Sequence, residues 1–149
     1  MKRTLALLVA VSVAALVTAG LAGGASKAET YKLSAKLTAG QEVPKPKGAA
    51  GATGTFTGTL VGRKLTWKVT YKGLTGKAMQ AHIHMGRPGK SGNVLVPLCP
   101  PGCRSGMHGT KTVSRAIRDA IEHGRTYVNV HTAKNPAGEI RGQVRATDT

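Results

Sequence analysis

Acidic residues are scarce in this chain: it has six Asp and Glu residues among 149, against 22 Lys and Arg. General acid–base catalysis most often uses carboxylates or histidine, so few carboxylates remain for such a role. No Ser-His-Asp hydrolase motif is present, and no nucleophile stands beside a base in the sequence. The composition therefore favours a binding protein over an enzyme, without excluding catalysis.

Aromatic residues are equally scarce, with one Phe, one Trp and three Tyr. Proteins that bind single-stranded nucleic acids stack bases on aromatic rings, and this chain also lacks the known DNA-binding and RNA-binding motifs. We therefore do not expect a nucleic-acid partner. The formal charge of +16 instead favours anionic cell-wall or extracellular polymers. Because the basic residues are spread singly along the chain, an ordinary solvated basic surface is the alternative.

The chain has only two cysteines, Cys99 and Cys103. In an exported protein they would meet an oxidising compartment, which predicts a disulfide between them. A redox or metal-binding dithiol is the alternative, but the three-residue spacing does not match the redox C-x-x-C pattern. Closing so short a loop removes little conformational entropy from the unfolded chain. We therefore expect the disulfide to shape this loop more than to stabilise the fold.

Long hydrophobic runs are absent apart from one near the N-terminus. Lys2 and Arg3 precede an apolar run over residues 5–19, and Gly, Ala and Ser follow it to Ala28. This order predicts a secretory signal peptide over residues 1–28, with an uncleaved membrane anchor as the alternative. Cleavage would leave a single domain of residues 29–149 with a formal charge of +13. The expected location is secreted, extracellular or cell-wall associated, with no stable membrane anchor after cleavage.

The rest of the chain alternates apolar and polar residues between Gly-rich and Pro-rich turns, which predicts short antiparallel strands. Helical spacing of apolar residues occurs once, near residues 113–123. The expected fold is all-β: a Greek-key antiparallel sandwich or barrel, immunoglobulin-like or superoxide-dismutase-like, with one short helix. The predicted strands are 31–37, 53–61, 64–71, 79–84, 94–98, 125–131 and 139–146.

Three histidines fall on predicted strand faces. Alternation places His82 and His84 on the face opposite Ile83, and His131 on the face opposite Val128 and Val130. If the apolar residues point into the core, all three imidazoles point away from it. On neighbouring strands they could share one copper or zinc ion. The alternative is a polar patch in which the histidines bond across strands to Asn129 or Glu139.

Several motifs resemble the CHRD domain, a module named after chordin and common in secreted bacterial proteins. The resemblance extends over residues 31–145, nearly the whole chain left after the predicted cleavage. The motifs that carry it are Leu37-Thr-Ala-Gly-Gln-Glu-Val-Pro44, Gly73-Leu74, Ala81-His-Ile-His84, Val96-Pro-Leu-Cys99, and residues 127–143 from Tyr127-Val-Asn-Val-His131 to Gly138-Glu-Ile-Arg-Gly-Gln143. The resemblance brings no established catalytic activity. It is consistent with a binding module.

A shorter resemblance concerns the copper-ligand strands of copper/zinc superoxide dismutases. It implies that His82, His84 and His131 are copper ligands, whereas a bridging histidine and a zinc-ligand set are missing. A dismutase-like enzyme at these histidines is therefore an alternative to a binding module. Asn129, Glu139 and Arg141 are candidates to orient the ligands from outside the metal sphere. His108 is a weaker candidate ligand, and His123 is expected at a helix C-terminus.

Overall fold

The computed structural model describes residues 28–99 and 102–149, so the predicted signal peptide lies almost wholly outside the described residues. Nine strands and one α-helix follow in chain order: β1 (Thr30–Thr38), β2 (Thr53–Val61), β3 (Lys64–Lys72), β4 (Ala78–Met85), β5 (Val94–Pro97), β6 (Met107–Thr112), α1 (Arg115–Glu122), β7 (Thr126–Thr132), β8 (Ile140–Gln143) and β9 (Arg145–Asp148). No helix in these two ranges is long and apolar enough to span a membrane.

The strands form one antiparallel sheet in the order β5-β4-β7-β8-β1-β2-β3-β6, with β9 also paired to β1. The sheet curls into a half-barrel, which confirms the all-β antiparallel prediction with one short helix. Two details differ from the sequence prediction. The segment 107–112 is a strand although its Met-His-Gly-Thr-Lys-Thr sequence alternates poorly, and the predicted last strand divides at Val144 into β8 and β9.

The β2–β3 hairpin is the most regular part of the sheet. Gly62 and Arg63 form its two-residue turn, and the positive φ of Gly62 (54°) suits this type of turn. One face of the hairpin is apolar and contributes Phe56, Leu60, Leu65, Trp67 and Val69 to the core, all at most 8% exposed. The opposite face carries threonines and lysines, as the alternating sequence predicts.

The curl of the sheet brings its distant strands into contact. The indole nitrogen of Trp67 on β3 donates a hydrogen bond to the carbonyl of Leu98, just after β5. Ile83 on β4 and Val128 on β7 are fully buried in the same core as Trp67. The core therefore lies inside the half-barrel. Next to it, Cys99 and Cys103 lie at disulfide distance, with their Cα atoms 5.6 Å apart.

Helix α1 begins where Ser114 accepts a hydrogen bond from the backbone N–H of Ile117, and it buries Ala120 and Ile121. His123 ends the helix. Its Nδ1 atom lies 2.8 Å from the Asp119 carbonyl oxygen. This confirms the position expected for His123, because a donor side chain there satisfies a carbonyl of the last turn.

Candidate metal centre

Strands β4 and β7 place the three histidines side by side. Their ladder pairs His82 with Asn129, His84 with Tyr127 and Gln80 with His131. A β-bulge between Ala78 and Gln80 shifts the register at the end near His131. The ring centroid of His82 lies 5.4 Å from that of His84 and 5.0 Å from that of His131, and the centroids of His84 and His131 are 6.0 Å apart. The predicted neighbouring strands therefore do bring the three imidazoles together.

One nitrogen of each ring faces the others. One such atom from each histidine lies within 4.8 Å of the other two. The closest pair is His82 Nδ1 and His131 Nε2, at 3.1 Å. Two nitrogens bound to one tetrahedral Zn²⁺ at about 2.0 to 2.1 Å lie roughly 3.3 Å apart. The His82–His131 pair is therefore close to the spacing of two ligands of one ion, whereas the other pairs would have to close by up to about 1.5 Å.

Backbone carbonyls fix the tautomers of two rings. His84 Nδ1 lies 2.9 Å from the Gly92 carbonyl oxygen, and His131 Nδ1 lies 2.9 Å from that of Pro136. A carbonyl only accepts, so each Nδ1 carries the proton and each Nε2 keeps a lone pair. His84 Nε2 is buried and has no hydrogen-bond partner in the described part of the chain. Metal-binding histidines are commonly oriented by such carbonyls.

The environment keeps the rings neutral. Burial, together with the neighbouring His131 and His84 rings, lowers the pKa of His82 to about 4. Burial also lowers the pKa of His84 and that of His131, and the carbonyl oxygens on their Nδ1 atoms only partly oppose this effect. Neutral imidazole is the form that binds metals, so the cluster has the required protonation state at neutral pH.

The histidine face is opposite the core, as alternation predicted, but two of its rings are covered. His84 and His131 are each 8% exposed, and His82 is the most accessible of the three. The loop of residues 86–93 and the loop of residues 133–139 supply the covering carbonyls of Gly92 and Pro136. The three histidines therefore lie on the outer face as expected, but two of them are covered by loops.

Asn129 and Glu42 extend the polar cluster away from the histidines. The Asn129 side chain lies next to both the His84 ring and the Glu42 carboxylate. Both residues are 2% exposed. Burial raises the pKa of Glu42 from 4.5 to about 7, although a backbone N–H from Val43 and the charge of Arg141 oppose this rise. The Asn129 side chain therefore connects His84 to a buried carboxyl group.

Arg141 supports the site through Tyr127 and the 86–93 loop. Its guanidinium carbon lies 3.4 Å from the centre of the Tyr127 ring, and that ring stacks on His84 with centroids 5.0 Å apart. Its Nη2 atom donates to the carbonyls of Arg87 and Lys90 at 3.0 and 2.8 Å. The side chain is 2% exposed. Arg141 therefore orients the surroundings of His84 and has no direct contact with the three-histidine centre among these interactions.

Glu139 is fully buried, and its carboxylate bonds to Thr75 and to the turn after β7. It accepts hydrogen bonds from the Thr75 and Thr132 hydroxyls, from the Thr75 N–H and from Asn135 Nδ2. Burial raises the pKa of Glu139, but these hydrogen bonds outweigh it and the net shift is downward. Its effect on the centre is indirect, because Asn135 and Pro136 belong to the loop that orients His131.

Glu139 forms no ion pair with an arginine within residues 28–99 and 102–149. Arg125 pairs with Asp119 on α1, and Arg141 bonds to carbonyl oxygens. His108 lies on β6, opposite Lys68, and is not part of the cluster.

Glu42, Tyr127 and the 86–93 loop are the parts of the site that the sequence did not identify. Glu42 lies in the Gln41-Glu42-Val43-Pro44 segment of the CHRD-like motifs, and this was the only signal pointing to it. Tyr127 shares a strand face with Asn129 and His131, so alternation alone placed it beside them.

No curated protein and no solved structure matches the chain. A family model does match it, over residues 33–144, and this match covers β2 to β8 completely and most of β1. The same range contains all three histidines and the residues that surround them. The chain therefore belongs to the CHRD domain family.

Proposed function

We propose that this CHRD domain is an extracellular metal-binding module that holds one Cu(II) or Zn(II) ion on His82, His84 and His131. The observation that carries the proposal is the convergence of three neutral imidazoles, with one nitrogen of each within 4.8 Å of the others. Imidazole suits both copper and zinc, whereas Mg²⁺ and Ca²⁺ prefer oxygen ligands. The family membership is consistent with a binding role.

Each protein group has a defined task in this proposal. The His84 and His131 Nε2 atoms are ligands that carry lone pairs, while the Gly92 and Pro136 carbonyls hold these two rings. His82 Nδ1 donates its proton to His131 Nε2 in the metal-free protein, so it becomes the third ligand when that proton moves to His82 Nε2 or to solvent. A bound ion would act as a Lewis acid or a redox centre, and three protein ligands would leave one position for water or another small ligand. The partial exposure of His82 supplies a route for exchange of the ion.

Binding is favoured over a two-metal dismutase-like enzyme by the donor groups. Within residues 28–99 and 102–149, the three histidines are the only cluster of His, Cys, Asp or Glu suited to a metal. The buried carboxyl of Glu42 bonds to Asn129 and is not part of the three-histidine cluster. A single ion held by the three histidines is therefore the better interpretation.

Metal titration of untagged protein tests the proposal. We expect one equivalent of Cu(II) or Zn(II) to bind by calorimetry, and a Cu(II) electron paramagnetic resonance spectrum with nitrogen hyperfine structure. His82→Ala, His84→Ala and His131→Ala should each weaken binding at least tenfold. His123→Ala and His108→Ala are matched controls, since both residues are exposed and outside the cluster. Absence of uptake, or equal uptake by site and control variants, would overturn the proposal.

A further inference from the structure

The outer face of β1, β2 and β3 carries a regular array of lysine and threonine side chains. Strand pairing divides it into five successive rows, each containing one residue from each strand. The lysines of successive rows are Lys64, Lys32, Lys68, Lys36 and Lys72. They alternate between β3 and β1, so the basic residues that are scattered in the sequence are gathered on one surface. We call this surface the lysine–threonine face.

The spacing of these lysines follows from strand geometry. Successive rows are two residues apart, or about 7 Å along the strand, and β1 and β3 are two strand spacings apart, or about 10 Å. The five lysines thus form two staggered lines along a track of about 27 Å. All five side chains are exposed, and none makes an ion pair in the described residues.

Threonines of β2 form the floor between the two lysine lines. Thr55 and Thr59 bond to Thr70 and Thr66 of β3, with hydroxyl oxygens 2.6 Å apart in both pairs. Two open hollows of about 380 and 540 Å³ lie on this part of the sheet, and Lys36 and Thr55 line both. Hydroxyl groups in a row offer hydrogen bonds to a polar ligand, and the hollows offer room for its bulk.

Carboxylates are excluded from this face. Glu42 and Glu139 are buried near the histidines. The remaining acids lie elsewhere. Glu29 and Glu122 form ion pairs with Arg118, and Asp119 forms one with Arg125. Asp148 lies opposite Tyr31 in the β1–β9 ladder, and so belongs to the other face of the sheet. The field above the lysine–threonine face therefore comes from unopposed positive charge, which attracts and concentrates anions.

We propose that the lysine–threonine face binds an extended acidic polysaccharide along β2. A ribbon-like polysaccharide presents charged groups on alternate sides of its axis, which matches the alternating lysines, and its hydroxyl groups match the threonine floor. A single-stranded nucleic acid fits less well, because Phe56, Trp67 and Tyr71 belong to the opposite face and no aromatic ring in the five rows is available for base stacking. This site is separate from the histidine centre.

Binding of polygalacturonate and of heparin tests the proposal, since they carry carboxylate and sulfate groups respectively. The triple variant Lys32→Gln, Lys36→Gln, Lys68→Gln should bind either polymer at least tenfold more weakly at low salt. The control variant Lys77→Gln, Lys111→Gln, Arg115→Gln removes the same charge from exposed positions outside the face and away from the histidine loops, and it should change affinity less than threefold.

Three results would overturn the proposal. Equal losses in the two triple variants would show a diffuse charge effect. Binding that survives about 1 M salt would not be the screened attraction that exposed lysines produce. Binding of an oligothymidylate of the same charge as tightly as the polysaccharides would remove the preference for sugar polymers. Metal uptake by both triple variants should equal that of the wild type, so failure here leaves the metal proposal intact.

Discussion

The Nδ1 atom of His82 lies 3.1 Å from the Nε2 atom of His131, although 49 residues separate them in the chain. The two residues are not directly opposite in the β4–β7 ladder, because His82 pairs with Asn129 and His131 with Gln80. Their contact is therefore diagonal, a distance that ring-bearing side chains can span. One neutral ring must donate this hydrogen bond and the other accept it, so protonation of both would replace the bond by repulsion.

The metal-free protein should lose a stabilising contribution of its histidines as the pH falls from about 6.5 to about 4. Burial and the neighbouring rings lower the pKa of His82 from 6.5 to about 4 in the folded state. Between these values the unfolded chain binds more protons than the folded protein, so acid favours unfolding. The contribution is complete above pH 6.5. Urea unfolding at a series of pH values measures it.

The control for this prediction compares how steeply the free energy of unfolding changes with pH in different variants. His82→Gln removes one of the shifted groups and should make the free energy of unfolding less dependent on pH between 4 and 6.5. Equal slopes in wild type and His82→Gln would contradict the prediction.

Glu42 should have the opposite pH dependence. Burial raises its pKa from 4.5 to about 7, so the folded protein binds the extra proton between these values. Its stabilising contribution is complete below pH 4.5 and is lost as the pH rises to about 7. Glu42→Gln, which resembles the protonated carboxyl, should therefore gain stability relative to wild type between pH 4.5 and pH 8. Thermal unfolding at both pH values measures this gain, and equal stability of Glu42→Gln and wild type throughout this range would contradict the prediction.

Alternation of side chains predicted much of this structure. Leu33, Ala35 and Leu37 of β1 are buried as expected, and so are Val128 and Val130 of β7. The same rule placed the three histidines together on the face opposite the core. It works here because a strand has a period of two residues, so one buried residue fixes the direction of its neighbours.

Contacts between distant segments could not be predicted in this way. Glu42 reaches Asn129, and Ser91 of the 86–93 loop donates to the Val43 carbonyl, through chain folding that no local pattern encodes. The lysine–threonine face could not be predicted from the sequence for the same reason. Lys36 and Lys68 are far apart in the sequence, and only the register of β1, β2 and β3 places them in neighbouring rows.

Removal of the disulfide should have a modest effect. Cys99 and Cys103 are four positions apart, and closing so short a loop stabilises a protein by about 2 kcal/mol at most in the chain-entropy model. The double variant Cys99→Ser, Cys103→Ser should therefore still fold, with a lower melting temperature and unchanged metal uptake. Calorimetry and metal titration check both points. Loss of metal binding in this variant would show instead that the thiols belong to the metal site.

The last prediction concerns Gly138, whose backbone has a φ of 134° and lies against the polar cluster. A Cβ atom at this position would overlap the Glu42 carboxylate and would lie 2.8 Å from Asn129 Nδ2. Backbone strain of this kind costs about 1 to 3 kcal/mol, and displacement of a buried carboxyl adds to it. Gly138→Ala should therefore destabilise the protein by more than about 2 kcal/mol. Gly76→Ala is the control, because a Cβ there meets no atom within 4 Å.

A double-mutant cycle separates the two causes of this loss. In a Glu42→Ala background the carboxylate is gone, so Gly138→Ala should cost less there than in the wild type, and the remaining cost is the backbone strain. Because Asn129 lies between Glu42 and His84, Gly138→Ala should also weaken metal binding, and Glu42→Ala should partly restore it. Denaturant unfolding and metal titration of the four proteins give both coupling energies. Equal costs of Gly138→Ala in the two backgrounds would mean that Glu42 does not press against Gly138, and the connection from this turn to the histidines would be wrong.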